Sequence, residues 1–280
     1  MSAASEFTLS WSDAWRPSSF WALYGLSLRV SCRPGRLAAV VGFFCVPLAV
    51  MLLIRWLRPD ADAETIRAYE VNFIYYGIAA ALAPLVALLF ASGMIQDEIE
   101  QQTLTYLLVR PLSRPMVYIT KLAATVTIAY GLAAAFTIIG FTAIHLGNPQ
   151  GDWPNVLTAR ALPTAALFGL TIPVYVAIFG LIGMVTRWTL VVGAAYIIVI
   201  ELVLSSFEFV IRQFTVLFHS RALGERWMGL KVESWAINLE EAPAVWTSVL
   251  SLAIVGVVAT AAGAFMMRAR EFRVKTTEGG

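Results

Sequence analysis

The sequence predicts an all-α integral membrane protein with six transmembrane helices, a surface helix before the first and short re-entrant helices before the last. Of its 280 residues, 59% are hydrophobic and 14% are charged, and the mean hydropathy is +0.74. Soluble domains carry about 25% charged residues. Six apolar runs, each close to the roughly 20 residues that a bilayer requires, alternate with short polar segments. We therefore interpret residues 1–280 as a single transmembrane domain.

Residues 1–36 are aromatic and basic, and helical periodicity begins at Pro17. Phe20, Leu23 and Tyr24 fall near one face, opposite a stripe of small and polar residues. This pattern predicts an amphipathic helix that lies in the headgroup plane, and the alternative is a disordered tail.

The apolar runs predict six spans, at residues 37–53, 73–95, 118–146, 161–185, 189–207 and 244–267. Pro47, Pro84 and Pro173 lie inside three of them and predict bends. Residues 59–70 are expected to form a polar loop. Residues 186–188 are expected to form a tight turn, because so short a connection joins antiparallel neighbours.

The longest connection, residues 206–243, is not simply polar. It contains an apolar block at residues 207–218, which is too short to cross a bilayer. The block predicts a re-entrant or interfacial pair of short helices.

The distribution of basic residues predicts the orientation. With the N-terminus inside, twelve Lys and Arg residues lie on the inner side and eight on the outer side. Cytoplasmic segments carry an excess of such residues. We therefore expect both termini, the tail at residues 268–280 and the connection at residues 96–117 to be cytoplasmic.

That inner connection belongs to a polar island, residues 96–121, between two apolar runs. Its first half has the pattern of an amphipathic helix, which Pro111 ends. Ser113 can cap the next helix, with Pro115 tolerated in the first turn. A surface helix of this kind is a docking element for a soluble partner, although an ordinary hydrophilic loop would have a similar composition.

The island resembles the loop between the second and third spans of type-2 ATP-binding-cassette transporter permeases. The resemblance is carried by Glu98, Glu100, Thr103-Leu104, Leu107-Leu108, Arg110-Pro111, Ser113-Arg114 and Lys121-Leu122. Gln102 departs from the pattern, since the family usually has glycine there. The resemblance implies that this loop is a cytoplasmic coupling helix, that residues 1–36 hold the family's elbow helix and that the re-entrant helices lie on the outer side.

The resemblance also implies partners. The chain would be the membrane subunit of an ATP-driven transporter, more specifically an exporter, in the cell membrane. A separate cytoplasmic ATPase dimer would hold ATP and Mg²⁺, and a second permease copy or a paralogue would complete the assembly. The contact residues for the ATPase would be Asp97, Glu98, Glu100, Thr103, Leu104, Leu107, Arg110, Ser113 and Arg114.

Glu201 is the acidic residue that the sequence places well inside a predicted span. A carboxylate at mid-membrane costs about 2.5–3.5 kcal/mol on insertion scales, so it should face protein or a cavity. One interpretation is a residue that lines the translocation path. The other is that the span ends earlier and Glu201 pairs with a loop arginine near the outer headgroups.

Two alternative functions belong to other classes. One is a membrane anchor or scaffold that recruits a soluble complex without transport. The other is an intramembrane enzyme that uses Glu201 together with a histidine, His145 or His219.

The sequence offers no support for catalysis or for cofactor binding within the chain. It contains no GxxxxGK[ST], HExxH or GxSxG motif. Cys32 and Cys45 do not form a metal-binding pattern, and a net charge of +2 gives no reason to expect nucleic acid binding. Gly180 and Gly263 belong to small-residue stripes that predict helix packing faces.

Overall fold

The computed structural model describes residues 17–100, 113–146, 153–206, 210–229, 232, 235 and 243–269. We number the helices of this part of the chain in order. They are α1 (Pro17–Ser31), α2 (Pro34–Leu57), α3 (residues 63–100), α4 (Arg114–His145), α5 (Trp153–Val185), α6 (Thr189–Val203), α7 (Val216–Met228) and α8 (Val245–Ala269).

Five of the described helices are long and apolar enough to cross a membrane: α2, the Ala63–Met94 part of α3, α4, α5 and α8. This confirms the all-α membrane class. The predicted fifth span corresponds to α6, which is apolar but falls short of 18 residues and continues only as a 3₁₀ turn at Leu204–Ser206. The crossing by α6, and with it the six-span layout, stays a prediction.

The bundle is built around α5, which packs against α3, α4, α7 and α8. In the most apolar 18-residue stretch of each helix, 61% of the residues are buried in α3 and in α5, but only 17% in α2 and in α8. The outer helices therefore present apolar side chains to their surroundings, among them Phe43, Val46, Trp246 and Val257. In a bilayer these side chains meet lipid, so their exposure carries no penalty.

Two described helices contain π-helical segments that end two residues before a proline. The segment Glu70–Leu82 of α3 precedes Pro84, and the segment Leu157–Ala161 of α5 precedes Pro163. Proline cannot donate a backbone hydrogen bond, and its ring collides with the carbonyl one turn earlier. At both sites the residue before the proline donates to a carbonyl five residues back, so the helix widens. The bend predicted at Pro84 thus appears as a widened helix.

The prediction of a polar loop at residues 59–70 is wrong for the second half of that range. Asp62 is the N-cap of α3, and its Oδ1 accepts a hydrogen bond of 3.3 Å from the Thr65 backbone N–H. Hydrogen bonds from the Thr65 side chain and backbone lower the pKa of the Asp62 carboxyl from its ordinary value. The helix then runs on without interruption, so Glu70 lies inside it rather than in a loop, and it is fully buried.

The turn at residues 186–188 forms as predicted.

The connection at residues 206–243 differs in detail from the predicted pair of short helices. Its described part holds a 3₁₀ helix, Val210–Phe214, and then α7, which extends ten residues beyond the apolar block. Gly229 ends α7 with φ +62°, a left-handed conformation that favours glycine.

Helix α1 starts at Pro17, where the sequence pattern placed it, and packs along α4. Leu23 is buried, and the hydroxyl groups of Tyr24 and Thr127 are 2.8 Å apart. Trp21, in contrast, is 65% exposed. One face of α1 is therefore held by the bundle, and its position in the headgroup plane stays a prediction.

Candidate functional site

The predicted docking loop connects α3 to α4. Of its predicted contact residues, Thr103, Leu104, Leu107 and Arg110 lie outside the described residues, and Asp97, Glu98 and Glu100 lie in the last turns of α3, where the side chains are not described. Ser113 and Arg114 are described. They are the N-cap and the first residue of α4.

Ser113 takes the backbone position of an N-cap, but its side chain does not cap the helix. Its φ is −68° and its ψ is 135°, as expected before a helix. Its Oγ is buried and has no hydrogen-bond partner among the described residues. Pro115 lies in the first turn, which it tolerates because N–H groups there have no helical partner.

Two basic side chains reach the backbone of α3 just before the docking loop. Lys121 of α4 is 6% exposed, and its Nζ donates a hydrogen bond of 3.1 Å to the carbonyl of Met94. The guanidinium of Arg36, at the start of α2, lies against Gly93, where a Cβ would be 2.0 Å from Nη2. The last turns of α3 are therefore attached to both α2 and α4.

Behind these basic residues lies a small buried cluster, which we call the methionine–tyrosine junction. It consists of Met94, Tyr118, Met184 and Met267, one from each of α3, α4, α5 and α8. It is separate from the main core, which extends along α2 to α8. Four helices thus meet in a cluster next to the loop that is predicted to bind the ATPase.

Glycines allow the Tyr118 ring to fit into this junction. A Cβ on Gly263 would lie 2.2 Å from the Tyr118 hydroxyl oxygen and 2.4 Å from the ring carbon that bears it. A Cβ on Gly180 would lie 3.1 Å from the same oxygen. The small-residue faces expected around Gly180 and Gly263 are therefore packing faces, and both pack on Tyr118.

We expect Gly263→Ala to lower the free energy of unfolding by about 1–3 kcal/mol, the usual cost of overpacking a core. Thermal unfolding of the detergent-solubilised protein would measure this change. Gly131→Ala is the matched control, because a Cβ on Gly131 meets nothing within 4 Å. Equal midpoints for the two variants would contradict the packing argument.

Glu201 lies in the π-helical segment Ile197–Val203 of α6 and is fully buried. Its Oε1 accepts hydrogen bonds from the Tyr196 hydroxyl at 3.0 Å and the Val216 backbone N–H at 3.2 Å. Its Oε2 accepts from the Tyr175 hydroxyl at 3.2 Å and the Leu217 backbone N–H at 2.8 Å. Four donors from three helices thus converge on one carboxylate.

The two backbone donors are the first residues of α7. The first N–H groups of a helix lack partners within it and form the positive end of its dipole, so a carboxylate is favourable there. Thr215 supplies a second cap, since its Oγ1 accepts from the Phe218 N–H at 3.3 Å. Glu201 therefore fastens α7 to α5 and α6.

This geometry bears on the earlier interpretations of Glu201. These hydrogen-bond partners include no arginine and no histidine, although Arg221, in the connection at residues 206–243, interacts electrostatically with Glu201. A cavity of about 360 Å³ beside the first turn of α7 is lined by Thr215, Val216 and His219, but not by Glu201. A role of Glu201 in a translocation path stays a prediction.

The sequence patterns did not identify a second buried carboxylate, that of Glu70. The Nε2 of His145 lies 2.7 Å from its Oε1, and Arg160 contacts its Oε2. The three residues belong to α3, the last turn of α4 and the π-helical segment of α5, so they join three helix ends. The sequence did contain a signal for the burial of Glu70. Glu70 lies four residues from both Ile66 and Ile74, so all three residues share one helix face.

Near Glu70, buried Arg55 of α2 fastens the C-terminal end of α4. Its Nη2 donates to the carbonyl of Leu146 at 3.0 Å, and its Nη1 donates to that of Arg58 at 3.1 Å. A cation at the C-terminal end of a helix is favourable, because the last carbonyl groups lack partners.

Helix α7 is held against α3 by aromatic contacts. The guanidinium of Arg221 lies 5.8 Å from the centre of the Tyr76 ring and 5.9 Å from that of Trp235. His219 of the same helix donates through Nε2 to the Gln213 carbonyl at 2.8 Å, and burial lowers the pKa of its imidazole. The described part of the chain contains no group of three or more potential metal ligands.

The described helices form a membrane bundle whose helix ends are joined by buried polar contacts. Among the described residues, the buried charged side chains of Glu70, Arg55 and Glu201 each contact a helix end. Among curated proteins, no sequence matches this chain. A family model described as "ABC-2 family transporter protein" matches residues 33–206, which is more than half of the chain. The chain therefore belongs to the ABC-2 transporter family and is a multi-pass, membrane-spanning transporter component.

Proposed function

We propose that this chain is the permease subunit of an ATP-driven exporter in the cell membrane. A separate ATPase dimer, which holds ATP and Mg²⁺, docks on the connection at residues 96–117. Helix α6 supplies the sixth crossing, and both termini are cytoplasmic. A second permease copy or a paralogue completes the translocation pathway.

The observation that carries this proposal is the position of the methionine–tyrosine junction. The docking loop leaves α3 shortly after Met94 and enters α4 shortly before Tyr118, and both residues belong to the junction. Packed interiors do not deform continuously, so a displacement of the loop is passed on to neighbouring helices as a unit. Here the neighbours include α5, the centre of the bundle, and α8.

The attachments of α3 make this transfer direct. Lys121 donates to the Met94 carbonyl and the Arg36 guanidinium packs against Gly93, so a displacement of the last turns of α3 would carry α4 and α2 with it. A pull on the acidic end of α3 would move all three helices together. This rigid connection is what an ATPase that closes in the cytoplasm requires of its membrane partner.

The acidic residues at the end of α3 provide the test. We expect the triple variant Asp97→Lys/Glu98→Lys/Glu100→Lys to abolish association with the ATPase and the ATP hydrolysis that depends on this chain, because like charges replace a complementary surface. The full chain would be purified from its native membrane, and a co-purifying protein with Walker motifs would be identified by mass spectrometry and assayed. Glu64→Lys is the matched control, since Glu64 is exposed at the opposite end of α3.

Site-specific cross-linking defines the contact. A photoreactive residue at position 100 should cross-link to the ATPase, whereas one at position 64 should not. An ATPase that cross-links elsewhere, or that binds the triple variant as well as the wild type, would refute docking on residues 96–117. Cross-linking without any effect of this chain on ATP hydrolysis would favour the scaffold alternative.

A further inference from the structure

We propose that a lateral groove between α4, α5 and α8 binds one acyl chain of an anionic membrane phospholipid. The inference needs only a membrane-embedded chain and does not rest on the proposed ATPase. The groove has a volume of about 550 Å³. Pockets that hold small molecules typically measure about 300–1,000 Å³.

Small side chains create the groove. Gly169 of α5 and Gly256, Ala261 and Ala264 of α8 line it, and Pro173 interrupts the helical hydrogen bonding of α5 beside them. Helices α5 and α8 remain in close contact beside the groove, since a Cβ on Gly256 would lie 3.4 Å from a methyl carbon of Val174. The space is therefore a recess between helices that touch.

The dimensions and chemistry of the groove match a hydrocarbon chain. Its lining residues on α8 extend from Val249 to Ala264. At 1.5 Å per residue this is about 22 Å. One leaflet contributes about half of a hydrocarbon core that is roughly 30 Å thick, so an extended acyl chain fits along the groove. Among the lining residues that the structure describes, Thr260 alone carries a polar side-chain atom.

One end of the groove is positively charged. Arg268 follows Ala264 by four residues, so it continues the stripe of α8 that lines the groove, and it is exposed. The adjacent Met267 is buried in the methionine–tyrosine junction, which fixes this end of α8. Helix α4 begins at the same end, because Gly263 packs on Tyr118, and a helix N-terminus attracts anions. A phosphate headgroup fits this end.

The same charge argues against a second copy as the occupant. Membrane oligomers related by a two-fold axis along the membrane normal place equal residues at equal depth. A second copy seated in this groove would bring its own Arg268 near that of the first, and the two like charges would repel. An anionic lipid neutralises Arg268 instead.

The test is native mass spectrometry of the purified full chain, delipidated and then titrated with phosphatidylglycerol or phosphatidylcholine. We expect one phosphatidylglycerol to remain bound to each wild-type chain. Ala261→Phe fills the groove and should remove this binding. Val258→Phe is the matched control, because Val258 is 60% exposed on the same helix but does not line the groove.

The headgroup contact is tested separately. Arg268→Gln should reduce the preference for phosphatidylglycerol over phosphatidylcholine by about fivefold, which corresponds to about 1 kcal/mol for one basic residue at a charged membrane surface. Arg58→Gln, which is exposed near the other end of the bundle, should not change it. Equal lipid retention by Ala261→Phe and Val258→Phe would overturn the proposal. So would efficient disulfide formation between copies that carry Ala261→Cys in a Cys32→Ser/Cys45→Ser background.

Discussion

Glu201→Ala is expected to lower the free energy of unfolding by about 3–5 kcal/mol, the order expected when four buried donors lose their acceptor at about 1 kcal/mol or slightly more each. The variant leaves two tyrosine hydroxyls and the first two N–H groups of α7 without their acceptor. A buried donor without a partner costs about 1–3 kcal/mol. The midpoint of thermal unfolding in detergent should fall by roughly 6–20 °C, at about 2–4 °C per kcal/mol for a chain of about this size.

Glu201→Gln separates anchoring from transport. The amide oxygen can still accept hydrogen bonds, but the NH₂ group faces donors, so we expect a smaller loss of stability than for alanine. Glu64→Gln, at an exposed position, should change the midpoint little. If Glu201→Ala unfolds at the wild-type temperature and only transport is altered, the carboxylate belongs to a translocation path and not to an anchor.

Glu201 illustrates what the sequence could predict and what it could not. A single acid in an apolar run must be buried against protein, because lipid offers it no hydrogen bonds, and this burial was predictable. Its partners were not predictable. Tyr175 belongs to another helix, and the α7 donors are backbone groups, which leave no residue-type signal. The predicted alternatives therefore named an arginine and a histidine.

The helices were predictable because length and apolarity determine them. The predicted spans at residues 118–146, 161–185 and 244–267 coincide with α4, most of α5 and most of α8. The starts of α3 and α5 were misplaced. Their first turns are rich in charged and polar residues, and composition alone does not distinguish such turns from a loop. Both helices begin about ten residues before the apolar run.

The docking loop shows a different limit. Its pattern of acids, prolines and basic residues could be recognised, and the structure places its two ends on α3 and α4 beside the methionine–tyrosine junction. The junction itself could not be foreseen, because three methionines and a tyrosine in four separate apolar runs have no shared spacing. Its glycines were recognisable as small-residue stripes, but not their common contact with Tyr118.

The misplaced start of α3 concealed Glu70, whose substitution should have the second large effect. We expect Glu70→Ala to lower the free energy of unfolding by about 3–5 kcal/mol, because it leaves His145 and Arg160 without their shared acceptor. His145 is the more affected partner, since its side chain is 10% exposed and water cannot replace the carboxylate. Arg160 is 39% exposed and can turn toward solvent when its partner is lost. We therefore expect the loss of unfolding free energy to lie toward the lower end of about 3–5 kcal/mol.

A double-mutant cycle isolates this contact from other effects of the substitution. Glu70→Ala and Arg160→Ala, alone and together, should give a coupling energy of about 1–3 kcal/mol from thermal or chemical unfolding in detergent. Glu64→Ala, two turns earlier on an exposed face of α3, supplies the control and should leave the midpoint nearly unchanged. Additive effects of the two substitutions would show that Glu70 does not couple to Arg160 and so does not join α5 to α3. The fixed arrangement of these three helix ends would then depend on the contact between Glu70 and His145, on Arg55 and on the apolar contacts around Ile66 and Ile74.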